Sequence, residues 1–391
     1  MNNYYIDIFN LTKNKFQASR FPSLDLARLL AIIFMIQGHT IFELASPHAI
    51  NFNEFPWSWW NFFRGVTAPI FFMVSGAVHV FANKRNSDGT IPQNIILKRI
   101  TNSILLIIIG YLFLFPANRF YDLFFIDYQC WQTFFQVNVL QLFGISLLML
   151  TELFLLTKND KSFGFAALSV GIFITLLTPF MYMIDWYGIL PDVLAAYFSQ
   201  KHGSTFIIFP FSSFLFFGAA IGTYLKILPE EKRLDNMTRL GVPAGVLVVA
   251  IGIGFHLLLK SFNIEHFSSY PASSGMVFIR AGIVLVILSM SGFLYKRTKQ
   301  LGKFYSYFGR KALLIYCLHL IVLYGTPVFP SLTSFFKGSL NLVQSLGAVL
   351  LVELVTIGIV LLIDQSFRKF PKFKVFLKYS MTAYIIYAFF I

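Results

Sequence analysis

Residues 23–40 read SLDLARLLAIIFMIQGHT, an apolar run that carries Asp25, Arg28 and His39. An ionisable side chain well inside a membrane span costs roughly 2.5–3.5 kcal/mol on insertion scales, and it characteristically faces a cavity, a relay or a partner. Asp25 and Arg28 have the (i, i+3) spacing of an ion pair, which near a helix end can simply snorkel to the headgroups. His39 is the group suited to proton chemistry, because an unperturbed imidazole titrates at about pH 6.5. Eleven residues separate Arg28 from His39, about 16 Å of helical rise and three turns plus about 20°. The two therefore share one helix face, and Asp25 lies within about 40° of His39. A cation for phosphate at one end and a base at the other is the chemistry this spacing allows. A neutral, hydrogen-bonded structural histidine is the alternative.

The next segment, NFNEFPWSWWNFFRGVTAPIFFMVSGAVHVF over 51–81, adds candidates. His48 and Glu54 fall in the loop before the second apolar run, Arg64 opens that run, and Ser75-Gly76 interrupts it. Trp57, Trp59 and Trp60 read most simply as an interfacial belt, and Gly76 as a point of close helix packing.

These residues must be held by membrane helices. The 391-residue chain is 57% hydrophobic and 12% charged, with 48 phenylalanines, outside the range of soluble domains. Hydropathy predicts an all-α, polytopic bundle with spans near 24–46, 62–82, 95–116, 134–157, 163–183, 204–226, 240–260, 274–295, 304–328 and 341–365. A short apolar stretch at 375–391 is either an eleventh span or an interfacial segment. The predicted organisation is a tail over 1–22, a membrane domain over 23–370 and the apolar segment over 371–391. The first span is too long and too polar for a cleaved signal and is read as retained.

Of the 31 Lys and Arg residues, 24 fall on one set of alternate loops, 6 on the other and Arg28 within the first span. The positive-inside rule then puts the N-terminus in the cytoplasm of a cell (inner) membrane protein. The same scatter explains the net charge of +14 without a nucleic-acid partner. Cys130 and Cys317 form no disulfide or metal pattern, and no metal site is expected.

Arg28 with ten intervening residues before His39, Asp25 three positions before the arginine, and FFMVSG one span later resemble the acyltransferase-3 O-acetylases of the transmembrane acyltransferase superfamily. VNVLQLFGISLLML from Val137, FIIFPFSSFLFFGAAIG from Phe206, Arg280 and FGRKALLIYCLHL from Phe308 are similar to heparan-α-glucosaminide N-acetyltransferase. The resemblance covers roughly residues 20–325. It implies cytoplasmic acyl-CoA, acetyl-CoA in the main case, as co-substrate, and a hydroxyl or amino group of a sugar or glycan beyond the bilayer as acceptor. It also admits a homodimer. In the heparan enzyme the position matching His39 is similar to Asn, and the catalytic histidine lies nearer to His48, so His39 and His48 both stand as candidates. His39 is favoured because it alone shares the face of Arg28.

The site expected on this basis has His39, His48 and Asp25 in catalytic roles. Arg28, Arg64, Ser75, Arg85, Arg99 and Arg280 are expected to bind acyl-CoA or acceptor, with Lys84 as a further cytoplasmic cation. His39 would act as general base, or would carry the acyl group in a two-step route. Arg64 and Arg280, both at outer helix ends, suit an acceptor site or oxyanion. Glu152, Glu353 and His319 read as groups paired inside the bundle; Asp185 is a further outer-face candidate, and His202 and His266 read as solvated loop residues. The rival class is a secondary transporter or flippase with Asp25, His39, Glu152 and Glu353 as a relay. A matching broken helix in each half would favour transport, and TAPIFFMVSG has no convincing counterpart in the second half.

Overall fold

A computed structural model describes residues 21–391, apart from 83–84, 87, 118, 263–270, 272, 326–329, 371, 373–374, 376–378, 381–386, 388–389 and 391. Residues 1–20 of the N-terminal tail, Lys84, His266 and most of the apolar C-terminal stretch therefore lie outside the described residues.

The described chain is helical: α1 (Pro22–Leu44), α2 (Trp57–Arg64), α3 (Thr67–Phe81), α4 (Gln93–Leu112), α5 (Tyr128–Phe135), α6 (Val139–Leu156), α7 (Asp160–Met181), α8 (Asp192–Ala195), α9 (Ile208–Ile227), α10 (Glu230–Ser261), α11 (Ser274–Arg297), α12 (Gly302–Arg310), α13 (Ala312–Tyr324), α14 (Leu332–Phe336) and α15 (Leu342–Lys369). Among the described residues nine spans are long and apolar enough to cross a membrane, with α2 and α3 together forming one. The pair Lys299–Arg310 and Ala312–Tyr324, bent by 60°, makes a tenth when the two are counted as one broken span. Nine of the ten hydropathy-predicted spans are therefore single long apolar spans among the described residues, the predicted span at 304–328 falls on the bent pair, and the protein is an all-α, multi-pass membrane protein.

The differences have local causes. The fourth span starts at Val139 rather than 134 because Asn138 and Gln141 form a reciprocal capping box that begins a new helix after α5. The seventh extends back to Glu230, where Pro229 stands at the N-cap and Glu230 and Glu231 occupy the first turn; hydropathy sees only the apolar part of such a helix. The ninth is broken at Lys311, whose Nζ binds Asp364 of α15 at 2.8 Å.

The first helix is the hub. It packs against α3, α11, α12, α13 and α15, so a polar residue on it meets protein instead of lipid. Its far end is tied down by backbone: Gly338 N–H donates to the Glu43 carbonyl at 3.0 Å, and Leu340 N–H to the Leu44 carbonyl at 2.9 Å. These bonds satisfy carbonyls that a helix C-terminus leaves open. Elsewhere α3 and α9 come together on glycines, since a Cβ on Gly222 would lie 2.5 Å from Ala77 Cα and one on Gly76 would lie 2.9 Å from Ala219 N.

Candidate active site

Arg28 and His39 do share one face of α1, and that face looks at α12 and α13. At the Pro22 end, Ser306 Oγ donates to Asp25 Oδ2 at 2.8 Å and Arg28 Nη1 donates to the Gly309 carbonyl at 3.2 Å. The two side chains are themselves 3.8 Å apart. Gly309 permits this approach: a Cβ there would stand 2.8 Å from Asp25 Oδ1. FGRK, a motif of the second half, is thereby locked onto the first helix.

Toward the Leu44 end the same face meets a second histidine. The rings of His39 and His319 have centroids 5.6 Å apart, and Tyr316 stands edge-on to His319 at 5.4 Å. His319 is fully buried, and its Nδ1 lies 3.2 Å from the Ile315 carbonyl. It was expected to pair inside the bundle; the structure makes its ring neighbour the leading catalytic candidate. The signal was the one that singled out His39, a histidine inside an apolar span. What a single sequence does not contain is the pairing.

Arg64 approaches His39 from the other side. It ends α2 and does not open a continuous helix, because the chain breaks at Gly65-Val66 before α3. Its Nη2 donates to Asn61 Oδ1 at 3.0 Å, its guanidinium covers the Phe42 ring at 4.0 Å, and its aliphatic stem crosses Gly38. Arg64 lies in electrostatic range of His39, Glu43, Tyr324 and Arg280. Arg280, buried on α11, donates to the Gly65 carbonyl and lies over Phe62 at 5.3 Å. Tyr324 OH donates to Glu43 Oε1 at 3.1 Å. Arg280, Glu43 and Tyr324 thus gather around Arg64, which in turn stands beside His39.

A groove of about 900 Å³ opens between α1 and α11. Gln37, Gly38, Arg64 and Thr67 line one end, Ile287, Met290 and Leu294 its apolar wall, and Arg297 the other end. Sequence reasoning did not single out Arg297; its position at the basic end of an apolar span is common to many membrane helices.

The remaining candidates are dispersed. His48 is exposed in the turn after α1, with its backbone N–H donating to Ser46 Oγ at 3.3 Å. Ser75 is buried on α3 and is not among the groove's lining residues. Arg85 donates to the carbonyls of Gly89, Phe154 and Thr157 and lies 3.5 Å from Asp160; burial lowers its pKa from the ordinary guanidinium value, opposed by the Asp160 charge. Arg99 is bound to His79 and faces Phe154 at 6.0 Å. These two arginines belong to the α3, α4, α6 and α7 part of the bundle, whereas Arg28 belongs to the α1–α12 contact.

Glu152 corrects an expectation. It is exposed on α6 because Leu150, Thr151 and Phe154 form the buried face of that helix. Glu353 is half-buried, and neither acid has an ion pair among the described residues. Asp185 pairs with Lys201 at 3.1 Å on the surface, and His202 packs edge-on against Tyr187 at 4.1 Å instead of being fully solvated.

A family model described as an acyltransferase domain matches residues 21–363. No curated protein matches the chain. The matched span runs from the start of α1 into α15, so it includes His39 and His319, Arg64 and Arg280, and the whole groove.

Proposed function

Because the chain belongs to the acyltransferase-3 family, whose model covers residues 21–363, we propose that it transfers an acyl group, acetyl in the main case, from acyl-CoA on the basic face to a sugar or glycan on the far face. The acceptor is a hydroxyl or amino group. The observation that carries this reading is the placement of His39: a half-buried imidazole on the central helix, one residue beyond the groove-lining Gly38 and beside Arg64.

The groove suits the donor. Ten residues of α11 between Ile287 and Arg297 rise about 15 Å, comparable with a pantetheine arm. Arg297, which has no ion pair among the described residues, meets the phosphates, and the apolar wall takes the chain. This use of Arg297 replaces the expected use of Arg28, Arg85 and Arg99, whose donors are engaged inside the protein.

His39 takes the proton of the acceptor as its oxygen or nitrogen attacks the thioester carbonyl. The carbon–sulfur bond then breaks, and the CoA thiolate leaves with the proton returned by the imidazolium. Arg64 and Arg280 stand where charge develops on the carbonyl oxygen. A two-step route through acyl-His39 uses the same groups.

The test is purified protein in liposomes with radiolabelled acetyl-CoA and a panel of sugar acceptors. His39→Ala is expected to lower turnover by about 10²–10⁴-fold, while His48→Ala retains most of it. Loss of turnover with His48→Ala alone would move the base to the loop. Absence of both acyl transfer and CoA hydrolysis in the wild type would end the enzyme reading.

A further inference from the structure

The neighbour of His39 has one nitrogen that no other described residue uses. A carbonyl only accepts hydrogen bonds, so the 3.2 Å contact from His319 Nδ1 to Ile315 O requires the proton on Nδ1. In the neutral ring Nε2 then carries a bare lone pair. That atom is buried and has no hydrogen-bond partner among the described residues, while His319 as a whole is fully enclosed. The ring facing it is His39, 5.6 Å away between centroids and tilted by 43°; Tyr316 presents its ring edge-on. His39 is the facing ring that carries an N–H, and a buried acceptor favours having a donor.

The geometry points to His319 as the positioning residue for His39: its Nε2 accepts a hydrogen bond from one ring N–H of His39 and so holds the other nitrogen, bare, toward the reacting groups. The arrangement has the logic of a base held in one tautomer by a third group, here with a neutral imidazole in place of a carboxylate. A neutral partner suits the depth of the site, since a carboxylate there would bring a second charge into the membrane. His319 touches neither substrate; it acts through His39. The inference rests on the acyl-transfer reading for its catalytic consequence, but the hydrogen bond itself does not.

The experiment follows both. Protein with ¹⁵N-labelled histidine in lipid bilayers reports the tautomer of each of the seven histidines, with His39 and His319 assigned by their variants. The wild type should show His319 protonated at Nδ1, and His319→Phe, which keeps an aromatic ring but no acceptor, should change the His39 signals. Unchanged His39 signals in His319→Phe would overturn the proposal. With acetyl-CoA as donor, His319→Phe should lower kcat by about 10–100-fold with KM for acetyl-CoA little changed. His319→Gln, whose side-chain carbonyl accepts, should recover much of that loss. Equal damage from Gln and Phe in protein that elutes as folded would assign His319 a packing role only. A His39 signal that responds to His319→Phe, in a protein whose wild type shows no acyl transfer, would retain the hydrogen bond and remove the acyl-transfer reading.

Discussion

At the level of single residues, two arginines test the proposed division between stability and donor binding. Arg28 is held by Asp25 and the Gly309 carbonyl, so Arg28→Ala leaves a buried carboxylate with Ser306 as its remaining partner. Removing one member of a buried pair costs roughly 3–5 kcal/mol, which thermal unfolding in detergent should show as a large fall in midpoint. Asp25→Asn combined with Arg28→Met should recover part of it, because no lone charge remains. Arg297→Ala, at the exposed mouth of the groove, should leave the midpoint alone and raise KM for acetyl-CoA about tenfold, the loss of about 1.4 kcal/mol from a charge-assisted contact. The reverse pattern would return the phosphate role to Arg28. The shared face of Asp25, Arg28 and His39 was legible from helical arithmetic. Their partners Ser306, Gly309 and His319 were not, since 280 or so residues of chain lie between them and a single sequence does not encode which helices touch.

At the level of elements, the glycines of α3 and α9 do what the small residues of membrane helices do, letting backbones approach where packing supplies the association. Gly222 faces Ala77 and Gly218 faces Met73, and the neighbouring atoms are backbone that cannot rotate away. Gly222→Val should destabilise by about 1–3 kcal/mol or more and broaden the size-exclusion profile in detergent, without altering the donor KM of the protein that remains folded. A normal midpoint would mean that α3 and α9 are free to separate. Gly76 was read in this way from its position beside Ser75, and α9 supplies the surface it meets. Hydropathy could not foresee the break between α2 and α3 or the 60° bend at Lys311, because averaging over a span's length erases a two-residue interruption. Yet the first break lies where the Gly65 carbonyl receives Arg280, and the second lies at Lys311, which reaches Asp364.

On the scale of the whole molecule, the alternation of basic loops predicts which face meets the cytoplasm. In a Cys130→Ala, Cys317→Ala background, Asn51→Cys and Ser339→Cys should react with a membrane-impermeant maleimide on intact cells, and Asp88→Cys and Lys232→Cys only after lysis. Labelling in the opposite sense would turn the groove around and put Arg297 on the wrong side for cytoplasmic CoA. From its sequence alone this chain had its helical class, its ten spans and the polar face of its first helix determined, because hydrophobic length and helical periodicity act over neighbouring residues. Only the tertiary structure decided that α1 lies at the centre, that His39 meets His319, that Arg28 is spent on holding α12 and that the open groove runs along α11. Those outcomes depend on which helices pack side by side, and packing in a bilayer is chosen by shape and close contact between distant segments, which hydropathy does not record.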